Sequence, residues 1–316
     1  MAISVVKDGS YLIYKNWACD LCDSLCICTR KKVEVEILVV THNHVRYISE
    51  CLASVGSQVL KHPTSVVVHD DNSDDGTFEK CLEFLRNSNL PISIFRSTKN
   101  QFQIGRFSFL AKLLRDSKAN FTSFLDGDDY WLGKEKLNHQ LELMKGRTNA
   151  KICHTRYLVF RESERVSSTQ PDETLSLNQL TSVSLLRKEN YIGFSTVMIR
   201  NDSYQIGKII EGLKSLDIGD YPIWCALIVF DKSAEILFLD HVTTFYRIHN
   251  QNYWASKGFF TSLRRTRINQ KRISKMIGTQ VGEATLLFLI RVLIRRLRSA
   301  VLSSPDKRKQ TCIDQT

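Results

Sequence analysis

Nowhere in the chain do eighteen apolar residues run without a charge, so a helix able to cross a bilayer is not expected. The amino-terminal segment also lacks the short apolar core of a secretion signal, which makes the cytoplasm the expected location. Neither an internal repeat nor a low-complexity linker divides the sequence into independent parts. No G-x-G-x-x-G follows the first strand-like run, which disfavours a redox enzyme that grips a dinucleotide pyrophosphate. A disulfide framework is missing as well. The nine cysteines are odd in number, and Cys51, Cys81 and Cys225 fall in apolar segments, a usage suited to a reducing compartment.

What remains is a chain long and apolar enough to bury a full core, with 316 residues of which 43% are hydrophobic and 24% charged. Its formal charge of +11 is lopsided: residues 255–316 hold 14 basic and 3 acidic side chains, and the rest hold 30 of each. A groove-reading helix or aromatics interleaved with Lys and Arg are not visible in that tail, so nucleic acid is not an expected partner. From Leu286 to Leu302, LLFLIRVLIRRLRSAVL sets Arg291, Arg295 and Arg298 on one helical face, with Leu287, Ile290, Ile294, Leu297 and Val301 on the remainder. Two readings of this helix stand side by side. It lies on an anionic membrane surface through residues 284–303, at the inner face, or it docks on the protein core with solvated arginines. Near the other end, Cys19, Cys22, Cys26 and Cys28 are spaced more tightly than most structural zinc sites, and a partly buried or poorly ordered leader before the first domain is the simpler expectation.

From Val33 the pattern VEVEILVV alternates and then turns continuously apolar, as a strand does when it enters a sheet covered on both faces. Asn43 is placed to cap a helix in which Val45, Ile48, Leu52 and Val55 recur at helical spacing. The unit repeats: SVVVHDD precedes a helix bearing Phe78, Cys81, Leu82 and Leu85, and ISIFRS precedes one bearing Ile104, Phe107, Ala111 and Leu114. A fourth, FTSFLD, precedes one bearing Leu137, Leu141 and Met144. Four βα units predict an α/β fold with a largely parallel sheet flanked by helices. Beyond residue 150, KICHTRYLVF and YIGFSTVMIR read as strands, 161–176 as a polar loop, DIGDYPIWCALIVF as an acidic turn entering a buried helix, and EILFLDHVTTFYRIH as two short strands.

Ligands of such sheets sit at the carboxyl ends of the strands. Three polar clusters fall there: Thr41-His42-Asn43, Asp70-Asp71, and the stretch FLDGDDYW with Asp126, Asp128 and Asp129. Like charges at ~4 Å and an effective dielectric of ~20 repel by about 4 kcal/mol a pair. The stretch fails as an EF-hand loop, because Tyr130 and Trp131 occupy positions that require an oxygen ligand and a glycine. A plain strand-ending turn is one remaining reading. The other is a site for Mn²⁺ or Mg²⁺, which favour oxygen ligands and are commonly held by one or two carboxylates together with substrate phosphates.

VVTHNHVRYISECLASVGSQ, VVVHDDNSDDGT, FLDGDDYW, IGDYPIW and YRIH, in this order and spacing, resemble the family 2 inverting glycosyltransferases of the GT-A, Rossmann-like fold. The resemblance runs from about Val33 to about Trp254, giving an expected catalytic domain over 33–254 between a cysteine-containing extension over 1–32 and a basic, helical extension over 255–316. It implies a metal-dependent hexosyltransferase-type enzyme of polysaccharide or glycoconjugate synthesis, using a nucleoside-diphosphate sugar and a glycan or lipid-linked acceptor. It places Thr41, Asn43 and Asp71 at the nucleotide, with His42 where tyrosine is usual, and Asp126 near the ribose. Asp128 or Asp129 falls on the metal, with His249 of YRIH beside it. Asp220 of GDYPIW matches the general base, with Asp217 as a rival and a helix N-cap as its ordinary role. The segment QFQIGRFSFLAK lacks the family's Gly-rich start, and Arg106 is the cation left to meet phosphate there. Two other functions fit parts of the sequence: a sugar-phosphate nucleotidyltransferase, although Thr41 to Arg46 has no glycine for a phosphate loop, and a non-catalytic protein attached by its basic tail to a membrane or nucleic acid.

Overall fold

The computed structural model of the chain describes residues 3–8, 11–17, 32–101, 108–163, 166–171, 173–201, 220–250 and 259–278. Alternation in YLIYK drives the first pairing. Of β1 (Ser4–Asp8) and β2 (Tyr11–Lys15), the second buries Tyr11, Ile13 and Lys15 on one face and runs antiparallel along a strand of the main sheet. The sheet therefore starts before residue 33, where the sequence suggested that only a leader preceded it. Cys19, Cys22, Cys26 and Cys28 lie outside the described residues.

The expected βα units follow. β3 (Val35–Thr41), β4 (Thr64–Asp70), β5 (Ile92–Ser97) and β6 (Phe121–Asp126) are buried almost throughout, which is why apolar residues in them fall on both faces and not on one alone. They alternate with α1 (Ile48–Gly56), α2 (Thr77–Asn87) and α3 (Ser108–Arg115), and α4 (Lys136–Lys145) follows the two-residue β7 (Tyr130–Trp131). Neighbouring residues of a strand point to opposite faces. Ile37 and Val39 accordingly pack with Ile48, Leu52 and Leu141, on the side of α1, α2 and α4. Leu38 packs with Leu110 and Trp224 on the other side.

The second half comprises β8 (Ala150–Arg161), β9 (Val166–Gln170), α5 (Leu177–Leu180), α6 (Val183–Lys188), β10 (Met198–Arg200), α7 (Asp220–Val229), β11 (Glu235–Ile248) and α8 (Phe259–Ile277). The strands line up as β1-β2-β5-β4-β3-β6-β10-β8-β11-β7, with β9 against β8. The β5-β4-β3-β6 centre is parallel, and antiparallel pairs extend it on both sides. The 161–176 stretch is thus not only a loop, since β9 forms a hairpin with β8. YIGFSTVMIR gives only three strand residues, because Phe194–Thr196 coils into a 3₁₀ turn. EILFLDHVTTFYRIH is one strand rather than two, with register shifts after Glu235 and between Leu239 and Thr244 where it runs beside β8. The basic C-terminal region opens with α8, which buries Ile273. The arginine-rich stretch at 284–303 lies outside the described residues. No helix among the described residues is long and apolar enough to cross a membrane.

Candidate active site

Strand register brings the polar clusters to one edge. Thr41 pairs with Asp70, and Val40 pairs with Asp126, so β3, β4 and β6 end at one level and their following loops meet there. Backbone bonds tie the meeting point: the amide of Asp71 donates to the Thr41 carbonyl at 2.9 Å, and that of Gly127 to the Val40 carbonyl at 2.8 Å. Gly127 is required by closeness. A Cβ there would lie 2.5 Å from Thr41 Oγ1, 2.7 Å from Thr41 Cβ and 2.9 Å from His44 Nδ1.

Asn43 does not cap α1 as its sequence position suggested; Tyr47 precedes that helix without a side-chain cap. Asn43 instead takes a left-handed φ of 55°, which asparagine tolerates, and stitches two loops. Its amide donates to Ser73 Oγ at 3.0 Å and its Oδ1 accepts from the Asp74 amide at 3.1 Å. Asp75, not Asp70 or Asp71, serves the start of α2 by accepting from the Thr77 amide and hydroxyl. Asp71, 2% exposed, is left to hold the next loop, its Oδ1 accepting from the Gln101 amide at 2.7 Å. His42 packs its ring nitrogens against Asn100 Nδ2, with Nε2 at 2.9 Å. Arg106 and Asp217 lie outside the described residues.

Asp126, Asp128 and Asp129 each offer an oxygen within 4.8 Å of the others, but their surroundings differ. Asp129, 1% exposed, has both oxygens engaged: Oδ2 accepts from the Ser195 hydroxyl at 2.6 Å and Oδ1 from the Arg247 amide at 3.0 Å. Burial and then the neighbouring Asp128 charge raise its carboxyl well above the usual range, against the pull of those bonds. Asp126 is raised well above that range too, by burial first and then by Asp128, Asp129 and Asp220. Asp128 goes the opposite way. Burial opposes its charge, but the His44 and His249 imidazoles outweigh it and hold the carboxyl low. His249 Nε2 lies 3.0 Å from Asp128 Oδ2, and the ring packs on Tyr47 at 4.7 Å between centroids.

Asp220 opens α7, as read from GDYPIW. Asn190 Nδ2 donates to its Oδ2 at 2.9 Å, and burial raises its carboxyl despite that bond and the Tyr221 amide. The donor set suits a hard divalent cation: clustered carboxylate oxygens beside an imidazole, with two of the acids pushed toward the neutral form by burial and by one another's charge. Sequence reading missed three contributors. Ser195 reaches in from the far side, accepting from the Asp126 amide at 3.0 Å while donating to Asp129. Arg247 donates from Nη1 to the Asp128 carbonyl at 3.1 Å and from Nη2 to Glu50 Oε2 at 2.7 Å, stacked over Tyr47. His44 has its Nε2 3.8 Å from Asp128 Oδ2. Only Arg247 carried a signal, since it stands two residues before His249, at the end of β11 from which that histidine follows.

Uncharacterized protein Rv1520 of Mycobacterium tuberculosis is 25% identical over 224 residues, 70% of this chain and 61% of that protein. This chain thus spans about three fifths of the length of that relative. UDP-Glc:alpha-D-GlcNAc-diphosphoundecaprenol beta-1,3-glucosyltransferase WfaP of Escherichia coli is 25% identical over 276 residues, 87% of this chain and 98% of WfaP. Among solved structures, S. aureus TarS 1–349 in complex with UDP-GlcNAc superposes with a TM-score of 0.55 at 17% identity, over 76% of this chain and 66% of that one. Mannosyltransferase PcManGT from Pyrobaculum calidifontis, in complex with GDP-Man and Mn²⁺, gives a TM-score of 0.55 at 16% identity, over 80% and 66%. Those likenesses establish the GT-A fold. Residues 36–207, more than half of the sequence, match Glycosyl transferase family 2, and the chain belongs to that family.

Proposed function

We propose that the chain transfers a hexose from a nucleoside-diphosphate sugar to an acceptor hydroxyl, with inversion at the anomeric carbon. The observation that carries this reading is the meeting of three carboxylates within 4.8 Å, at the strand edge that also holds Thr41 and Asp71. Thr41, Asn43 and Asp71 line the nucleotide side, Asp126 meets the ribose, and Arg106 is carried over from the family resemblance as a phosphate contact. Asp128 and His249 would hold Mn²⁺ or Mg²⁺. Asp129, with both oxygens engaged by Ser195 and Arg247, braces the loop rather than leading the coordination. When bound, such a cation neutralises charge on the departing diphosphate.

Asp220 is the general base. As the acceptor oxygen bonds to the anomeric carbon, the bond from that carbon to the diphosphate oxygen breaks, the electron pair leaves with the nucleoside diphosphate, and the hydroxyl proton passes to the Asp220 carboxylate. Asn190 fixes the orientation of that carboxylate through Oδ2. A positioned base contributes about 10²- to 10⁴-fold. The acceptor is a glycan or a lipid-linked sugar: the WfaP name specifies a diphosphoundecaprenol-linked one, and this chain covers nearly all of WfaP. Work in polysaccharide or glycoconjugate synthesis at the cytoplasmic face of a membrane, touched peripherally through 284–303, accords with such an acceptor.

The test is a panel of nucleoside-diphosphate sugars with Mn²⁺, reading released nucleoside diphosphate, beside Asp220→Asn. Release by the wild type on one donor is expected, at least ~10²-fold slower in Asp220→Asn with nucleotide affinity unchanged. Nucleotide binding indifferent to metal, with no release on any donor, would overturn the proposal.

A further inference from the structure

Two imidazoles, not one, face Asp128. His249 Nε2 lies 3.0 Å from Asp128 Oδ2 and His44 Nε2 lies 3.8 Å from the same oxygen. The two rings are perpendicular, with centroids 6.3 Å apart. The other nitrogen of His44, Nδ1, lies 3.3 Å from Thr41 Oγ1. A proton on Nδ1, given to that hydroxyl, leaves Nε2 with a lone pair toward the carboxylate. Metal-bound histidines are commonly arranged this way, the second nitrogen held by a nearby oxygen that sets tautomer and ring orientation. In that tautomer the Nε2 lone pair of His44 and the Asp128 oxygen repel each other unless a cation sits between them.

Spacing agrees with a shared ion. Ligand atoms about 2.1 Å from one octahedral cation lie about 3.0 Å apart when adjacent and about 4.2 Å apart when opposite. The separations of 3.0 and 3.8 Å fall within that interval. The seat of His44 is also built in. A Cβ at residue 127 would come within 2.9 Å of His44 Nδ1, so the glycine between Asp126 and Asp128 makes room for the Thr41–His44 pair. The carbonyl of His44 accepts from the amides of Tyr47 and Ile48, which anchors its backbone to the start of α1. Its side chain remains 19% exposed, within reach of a ligand.

We infer that His44 is a second imidazole ligand of the divalent cation, joining Asp128 and His249, and that it biases the site toward Mn²⁺ or Co²⁺ over Mg²⁺. The bias follows from ligand type: imidazole suits transition ions, whereas Mg²⁺ keeps to oxygen. The inference rests on the glycosyltransferase reading of the same site, and the experiment separates the two.

Mn²⁺ binding is measured on the full chain by electron spin resonance, alone and with UDP or GDP, and the number of coupled imidazole nitrogens is read from electron spin echo modulation. The wild type is expected to show two imidazoles, and His44→Gln one. Mn²⁺ affinity should fall by about 10- to 100-fold in His44→Gln and His44→Ala, the scale of losses when a metal-site partner is removed. Mg²⁺ affinity, read by competition, should change by less than about 3-fold, because both ions lose a ligand but only one favours nitrogen. Gln keeps much of the histidine volume, so it guards against a misfolded Ala variant. A nitrogen count and affinity unchanged in His44→Gln overturn the inference and leave the proposed function standing, including the case in which the variant loses only nucleotide affinity and His44 therefore touches phosphate. Absence of Mn²⁺ binding by the wild type under all three conditions overturns both.

Discussion

Replacing Gly127 with alanine tests how tightly the acidic loop is seated. Gly127 is not among the residues with positive φ, so the backbone accepts a side chain and only space forbids it. The new methyl would meet Thr41 Oγ1 at 2.5 Å and Thr41 Cβ at 2.7 Å, against about 3.5 Å for a comfortable contact. Something must move by about 1 Å. Thr41 cannot yield easily, since it is 1% exposed and paired in the ladder with Asp70. The loop moves instead, straining the bond from the Gly127 amide to the Val40 carbonyl. Overpacking costs about 1–3 kcal/mol, and a lost hydrogen bond adds about 1 kcal/mol. Urea denaturation should therefore show Gly127→Ala less stable by about 2–4 kcal/mol. A displacement of about 1 Å between Asp126 and Asp128 should also cut donor turnover about 10²-fold. Thr41→Ser in the same chain should not rescue it, because the Cβ clash persists. An alanine variant with wild-type midpoint and wild-type turnover would show that the loop yields cheaply, and the steric argument would fall.

Two further outcomes follow from buried polar groups. Ser195→Ala leaves the Asp126 amide and Asp129 Oδ2 without their shared hydroxyl and should cost about 2–4 kcal/mol by chemical denaturation; less than 1 kcal/mol would mean that another group replaces it. Burial holds the His69 and His154 imidazoles neutral, each lowered to about 4. The unfolded chain binds those protons more readily, so their contribution is complete above about pH 6.5 and is lost as pH falls toward 4, at up to roughly 3 kcal/mol each. Denaturation midpoints at pH 7.5 and 5 in the wild type and in His69→Phe, which retains the stacking on Phe109, should show a smaller acid loss in the variant. Equal losses would contradict the assignment.

Much of the fold was legible because it is periodic. Short, largely apolar runs gave β3 through β6, helical spacing gave the helices between them, and the polar clusters after β3, β4 and β6 mark the strand ends where the site forms. What escaped is what periodicity does not record. Ser195 meets Asp126 and Asp129 across 69 and 66 residues of sequence, inside a 3₁₀ turn that read as plain strand. β9 hid in a polar segment, since a hairpin with a solvated partner needs no apolar face. Asn43 looked like a helix cap because caps and left-handed loop residues favour the same amino acid, and composition alone does not separate the two uses.

The repulsion among the three aspartates finds its answer in geometry rather than composition. The Asp129 amide donates to the Asp126 carbonyl at 3.0 Å, so the backbone folds back and sends the three carboxylates into separate surroundings. Asp129 turns inward to Ser195 and Arg247, and burial followed by the Asp128 charge pushes it toward the neutral acid against those bonds. Asp126 is pushed the same way by burial and then by the charges of Asp128, Asp129 and Asp220. Asp128 alone is held ionised, with His44 and His249 opposite it. The cost of about 4 kcal/mol for each like-charged pair applies only to acids that are charged together, and here the fold favours one charge over three. A cation bound among them would reverse that preference, because the three oxygens lie within 4.8 Å of one another. The turn that sets this arrangement depends on a glycine at 127.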